Sequence, residues 1–406
     1  MKLRRIAALL MAAMLVFAIA GCGDKGDNKG DSGAAPKAIK IWASQDDQAL
    51  TRSLADKFIE MNPQYNITIE LGVVGEPDAW ARYSEDPAAA ADLFFFPNDQ
   101  LRDFVGAGGL YEVTRNKDNI ISRNMHSSVE AATLDGKLWA YPVSADNGYF
   151  LYYDKSVLTE DDVQSLDRLL EVAAAAGKGF QMDLDNNGWY VASFFLGAGC
   201  TLSIGPDGRQ LSDFNNANGL AAAEAMRALT NHPAYISGND DVLKGGMGGS
   251  VAAGVSGTWI AADMATILGD NYGATKLPTF TMNGRQVQMG SFGGYKMVGV
   301  NATIDDPEKL VIVMDFADFL TNEQNQVERF EVRAIGPSNI NAAAAPAVQE
   351  NKALAALAAQ SGYATSQNDV LGNYWTPAGA FGSAMANHDS SDLQALLDNM
   401  VAQIQT

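Results

Sequence analysis

Three short stretches near the start of the folded part constrain this chain most. Ile39, Ile41 and Ala43 alternate as in a strand. Leu50, Leu54 and Phe58, with Ala55 and Ile59, then recur at helical spacing until Asn62-Pro63, and Ile67, Ile69 and Leu71 alternate again. Strand, helix and strand in that order make a βαβ unit. Its crossover connection requires a parallel pair whose faces are both covered. The run Asp92 to Pro97 (DLFFFP) is apolar without alternation, as expected of a further strand buried on both sides. The fold class is therefore α/β. Helical spacing predicts further helices over 161–176, 218–229, 258–268, 307–320 and 392–404. Asp305 or Asp306 can cap the fourth, and Pro307 suits its first turn. The alanine-rich stretch 342–359 is predicted helical, with Pro346 either in its first turn or breaking it. The glycines 245–249 and the pair Gly293-Gly294 are turn or hinge candidates.

The chain opens MKLRRIAALLMAAMLVFAIAGC, a basic start followed by an uncharged apolar run that stops at small residues and a cysteine. This is the pattern of a secretion signal over 1–21, removed on export rather than retained as a membrane span. Ile19-Ala20-Gly21-Cys22 resembles the bacterial lipobox, which implies cleavage before Cys22 and a diacylglycerol on its sulfur. Two or more acyl chains give stable anchoring where one does not. The following residues, 22–38, are rich in Gly, Asp, Lys and Ser and read as a flexible tether. What remains is too long for one small domain and suits two lobes. Cys200 is the one cysteine left in that part, so no intramolecular disulfide is available and stability rests on cores.

The formal charge is -20. Such a surface repels nucleic acid and anionic lipid, and a neutral solute suits it better than a polyanion. Catalytic and metal motifs are missing from the sequence pattern. His126, His232 and His388 are scattered, no G-x-S-x-G elbow occurs, and the glycine-rich GGMGGS lacks the Lys-Ser/Thr of a phosphate loop. Asp183-Leu-Asp185-Asn-Asn187-Gly188 copies the start of a calcium loop, but Phe194 stands at its twelfth position, which favours an ordinary Asx-rich turn. Neither a cofactor, a metal nor a catalytic residue is expected. A carboxylate pair acting on glycans cannot be singled out among so many acids.

Aromatic residues beside polar ones are more informative. Sugars present apolar C–H faces that stack on flat rings and hydroxyl rims that need carboxylates and amides. Open α/β sheets bind ligands in loops at the carboxyl ends of their strands. Here those loops carry Asp46 and Asp47 after the first strand, and Asp99 after the buried one. Asp146, Trp189, Tyr190, Trp259, Tyr374 and Trp375 have the same mixed character.

In this order, the segments IKIWA, ADLFFFPNDQLRDFVGAGGL, DGKLWAYPVSADNGYFLYYDKSVL, VSGTWIAADM, YGATKLPTF and NYWTPAGAFG resemble family 1 extracellular solute-binding proteins of ABC importers, of the maltose/maltodextrin-binding kind. DGKLWAYP followed by YYDK is the most specific of them. The resemblance implies a two-lobe periplasmic-binding-protein-like fold, each lobe a mostly parallel sheet flanked by helices, with the ligand cleft between. One lobe would take 39–144 and 293–338, the other 145–292 and 339–406. It further implies a monomer, lipid-anchored at the extracellular face of the cytoplasmic membrane, that captures maltooligosaccharides for permease subunits. The rival readings are another neutral oligosaccharide or an anchored glycan-active enzyme. Carried over by position, Asp46 or Asp47 and Asp99 supply sugar-binding acids. Asp146 stands for a crossover glutamate, Trp259 for a cleft tryptophan, and Trp189 or Tyr190 for an aromatic of the middle loop, whereas Trp375, in Tyr374-Trp375, lies one position from the family's stacking pair. Phe96 stands where maltose binders often carry tryptophan, and Gln100 where they carry arginine.

Overall fold

The computed structural model describes residues 35–406; the leader, Cys22 and most of the tether lie outside the described residues. The βαβ unit is as read. Strand β1 (Lys37–Ala43) leads into the helix Gln48–Met61 and returns as β2 (Ile67–Val73), parallel to β1 with Ile39 opposite Ile69 and Ile41 opposite Leu71. The alternating residues Ile39, Ile41, Ile67 and Ile69 are all buried. The apolar run forms β3 (Leu93–Pro97), buried throughout and parallel to β1.

Two long strands organise the rest. β4 (Tyr141–Asp154) and β9 (Ser291–Val300) run antiparallel to each other. Between β4 and β9 come β5 (Gly179–Gln181), β6 (Tyr235–Ile236), β7 (Val251–Gly257) and β8 (Tyr272–Thr275), and after them β10 (Ala364–Ser366). The sheet order is β6-β5-β7-β4-β9-β3-β1-β2, with β8 added to β4 and β10 to β9. Pairing is parallel in the outer parts and antiparallel where β4 and β9 meet their neighbours, except for β10, which runs parallel to β9. The two long strands thus join two α/β lobes.

Each lobe has its own core. One is built from residues 39–143 together with 297–320, around Phe94, Phe96, Phe104 and Phe316. The other is built from 149–292 together with 370–404, around Phe180, Phe194, Phe195 and Phe214. A smaller cluster under the second lobe contains Phe150, Tyr152, Met264 and Ala353. Asp306 caps the helix Pro307–Leu320, accepting from the N–H groups of Glu308 and Lys309 at 2.9 and 3.2 Å. The alanine-rich stretch breaks rather than running on. It forms three short helices, Ile340–Ala343, Pro346–Gln349 and Lys352–Ser361, because Pro346 has no N–H to continue the first and instead starts the second.

Asp146, read above as a ligand residue, is a structural joint. Its side chain does not border the cleft described below. It is 2% exposed, and one carboxylate oxygen accepts from the Thr258 hydroxyl and from the Gly336 N–H, each at 2.6 Å. It therefore ties the crossing strand β4 to the turn after β7 and to the returning segment near Gly336. Gly336 is needed for the approach, since a Cβ there would stand 2.9 Å from the Asp146 Cβ. Removing the carboxylate leaves two buried donors unpaired, at a cost of about 1–3 kcal/mol each. Asp146→Ala is expected to lower the urea-unfolding free energy by about 2–6 kcal/mol, with Asp146→Asn losing less because it keeps an acceptor oxygen. An Asp146→Ala variant as stable as the parent would remove the joint from this account.

Candidate functional site

A cleft of about 870 Å³ opens between the lobes, within the range of small-molecule sites. Its floor includes Ser144 and Asn147 of β4 and Lys296 of β9, and its walls come from loops at strand ends on both sides.

On the first lobe, strand alternation decides which residues reach it. Phe95 and Pro97 of β3 border the cleft, Phe95 with its ring also in the core, and Phe94 and Phe96 point to the opposite face of the strand and belong to the core alone. Phe96 is fully buried, with its ring centroid 4.8 Å from Phe104 and 6.0 Å from Phe94, so this ligand-binding candidate, placed by the resemblance where maltose binders often carry tryptophan, is a core residue. Asp99 in the turn after β3 does border the cleft, 8% exposed and accepting from Gln367 Nε2 at 2.7 Å. Burial pushes the Asp99 carboxyl up to about 8, and the charge of Asp103 adds to this against hydrogen bonds from its own backbone and from the Trp375 side chain. Burial raises Asp103 as well.

Asp46 and Asp47 both border the cleft but differ in character. Asp46 is exposed. Asp47 is 6% exposed and gripped by two guanidinium groups one helical turn apart on Glu323–Arg333. Arg329 contacts one carboxylate oxygen, and Arg333 Nε donates to the other at 3.0 Å. Burial alone would raise the Asp47 carboxyl, but the charges of Arg329, Arg333 and Lys296 outweigh it and hold it below the usual carboxylate range. Arg333 Nη2 also reaches the carbonyl of Trp259 in the other lobe, at 3.5 Å.

On the second lobe, Trp259 follows β7 and donates its indole N–H to Asp240 at 2.6 Å, while Ser256 donates to the other Asp240 oxygen at 2.7 Å. Trp189 begins the helix Gly188–Gly197, capped by Asn187, whose side-chain oxygen accepts from the Trp189 N–H at 3.2 Å. The same Asn187 donates to Asp183 at 3.0 Å, and Asp185 accepts from Ser383 at 2.6 Å. The calcium-like loop is thus held by a hydrogen bond of its own and one from Ser383, and it positions an aromatic. Among the described residues no group of three or more His, Cys, Asp or Glu side chains could hold a metal ion. The Trp189 ring lies 6.1 Å from that of Trp375 at 38°, and both border the cleft. Tyr190 also borders it but is 4% exposed. Tyr374 does not reach the cleft. It is fully buried, its hydroxyl donates to the Gly188 carbonyl at 2.9 Å, and its ring meets the Trp375 ring edge-on at 5.0 Å.

Of the ten residues named from sequence, then, seven meet in one cleft: Asp46, Asp47, Asp99, Trp189, Tyr190, Trp259 and Trp375. Phe96, Asp146 and Tyr374 do not. Sequence reasoning missed Trp80, Asp240, Lys296, Arg329 and Arg333. Trp80, in Pro77-Asp78-Ala79-Trp80, has the same aromatic-beside-acid character and was findable. The arginine pair shows only as an i, i+4 spacing on a helix that also carries acids.

Residues 53–356 match the family model of the bacterial extracellular solute-binding protein. A galactooligosaccharide-binding protein of Bacillus subtilis (strain 168) is 25% identical over 415 residues, spanning 97% of this chain and 95% of the relative. A structure solved with acarbose is similar with a TM-score of 0.80 at 27% identity, over 91% of this chain and 99% of that one. The Thermus thermophilus maltotriose-binding protein bound with maltotriose has a TM-score of 0.77 at 20% identity, over 90% of this chain and 99% of that one. With the family model covering most of the chain and the cleft lying between two α/β lobes, this chain belongs to the bacterial extracellular solute-binding protein family.

Proposed function

We propose that the protein is the lipid-anchored, non-catalytic binding component of an ABC sugar importer, holding a maltooligosaccharide in the cleft and handing it to the permease. The observation that carries this reading is the company of Trp80, Trp189, Trp259 and Trp375 with Asp46, Asp99 and Asp240 around one cavity. Flat rings serve the C–H faces of a sugar, and carboxyl oxygens accept hydrogen bonds from its hydroxyls. Solved structures of similar fold hold maltotriose or acarbose, which supports the substrate class. The galactooligosaccharide-binding relative, aligned over nearly its whole length, favours a second reading in which the sugar is a galactooligosaccharide. The lobes in this proposal are 39–144 with 293–338 and 145–292 with 339–406, closing on the ligand because only the closed form offers both sets of contacts. The separate cores support that division.

Isothermal titration with maltotriose, longer homologues and galactotriose tests the role and chooses the sugar. The parent should bind without releasing products after overnight incubation. Trp259→Ala and Trp375→Ala should each lose on the order of 2 kcal/mol, about thirtyfold in affinity. No heat and no melting shift with any saccharide would overturn the sugar reading.

A second test uses pH. Asp99 keeps its proton up to about 8 in the folded protein and releases it near 3.9 when unfolded. Between those values the folded state binds more protons, so this group makes stability fall as pH rises through the window, with the loss complete above about 8. Asp99→Asn removes the slope and should therefore gain on the parent between pH 5 and pH 9 in urea unfolding. Parallel stability curves would count against it. Anchoring is tested at Cys22, where mass spectrometry of native membrane-extracted protein should find the diacylglycerol, and Cys22→Ala should release the protein from the membrane.

A further inference from the structure

The Trp259 ring has one face set against its own lobe. A Cβ built on Gly257 would lie 2.0 Å from Cζ3, 2.3 Å from Cη2 and 2.4 Å from Cε3 of Trp259. A carbon in the ring plane beyond Cζ3 would stand much farther from the two neighbouring atoms than from Cζ3, so these nearly equal distances place it over the face. The backbone of Gly257, the last residue of β7, therefore covers one side of the ring, and the missing side chain is what lets the ring lie down there. The indole N–H is fixed by Asp240 at 2.6 Å, which sets the rotation of the ring in the cleft wall.

Over this ring stands Lys296, its ammonium 5.5 Å from the ring centroid and within cation–π range. Lys296 comes from β9 and borders the same cleft. Its carboxylate partner, Glu76, is loose at 3.7 Å, and both side chains are largely screened from solvent, at 15% and 14% exposure. Resting on this sugar-binding reading of the cleft, we propose that Lys296 occupies the stacking face of Trp259 until a saccharide takes it, and so selects what that position accepts. The displaced ammonium stays beside the ring with three N–H donors and no acceptor. Its positive charge stays there, so a neutral pyranose is admitted and an amino sugar protonated at that position is repelled.

The contact must be given up on binding, so Lys296→Ala should bind neutral saccharide between about two- and thirtyfold more tightly, the span of a cation–π contact. Lys296→Arg, which restores a cation over the ring, should fall back to the parent affinity or below. Glu76→Gln/Lys296→Ala should behave as Lys296→Ala does, which removes the unpaired carboxylate as the cause. Titrations use maltotriose, galactotriose and a glucosamine trisaccharide, and Lys296→Ala should gain most with the last. Tryptophan emission of the ligand-free protein supplies an arm independent of the sugar reading. Lys296→Ala should change it in the parent background and leave it unchanged in Trp259→Phe. Weaker or unchanged binding of the neutral sugars by Lys296→Ala would make the ammonium an ordinary ligand contact and overturn the proposal. So would an emission change that persists without Trp259. Should no saccharide bind the parent protein, the sugar reading fails and the emission arm alone decides whether Lys296 covers the ring.

Discussion

The antiparallel pairing of β4 with β9 is the contact on which the site depends. Each strand is long enough to serve both cores. β4 gives Tyr141 and Val143 to one and Tyr149, Leu151 and Tyr153 to the other, and β9 gives Met297, Val298 and Val300 to the first and Phe292 to the second. Of their middle residues, Tyr295 packs against the first core and the others belong to neither. The ladder loses register between Gly294 and Lys296 and again between Lys296 and Met297, a local irregularity that re-aims side chains. Ser144, Asn147 and Lys296 emerge there as the cleft floor. A separate core on either side carries each wall, so the cavity is a consequence of two strands being shared.

Charge is distributed with the same economy. The chain is strongly acidic, yet the cleft carries Lys296, Arg329 and Arg333, each already facing a carboxylate: Glu76 for the first, Asp47 for the second, and Asp47 with Asp46 for the third. Cations neutralised within the protein offer little to a polyanion. Asp99 and Asp103, near Trp375, have no cation among the groups that shift them. A hydroxyl proton is a partner that such desolvated acids can use without importing a full charge.

Much of the architecture was legible because it follows from periodicity. The βαβ unit, the buried DLFFFP strand and the helix starting at Pro307 each rest on local patterns that tertiary packing did not override. The alanine-rich stretch was legible only as two alternatives, and Pro346 decided for the break. At the site, residue type was readable and orientation was not. Phe95 and Phe96 are indistinguishable in composition, and the pleat of β3 alone brings one to the edge of the cleft and leaves the other wholly in the core. Asp146 looks like any loop acid until Thr258 and Gly336, distant in sequence, are seen to meet it. Arg329 and Arg333 escaped notice because their partner Asp47 lies more than 280 residues away in the chain.

The floor also contains a run of amide contacts between the cleft and the returning C-terminal segment. Asn147 Nδ2 donates to Gln367 Oε1 at 2.8 Å, Asn98 Nδ2 donates to Asn368, and Asn98 Oδ1 accepts from the Tyr295 N–H at 2.8 Å. Gly294 leaves the room for them, since a Cβ there would stand 2.2 Å from the Gln367 amide oxygen and 2.5 Å from that of Asn98. These groups do not ionise and carry no net charge, so added electrolyte cannot screen them as it screens exposed ion pairs. Whatever the salinity around the protein, this seam of neutral side chains keeps its strength when that salinity swings.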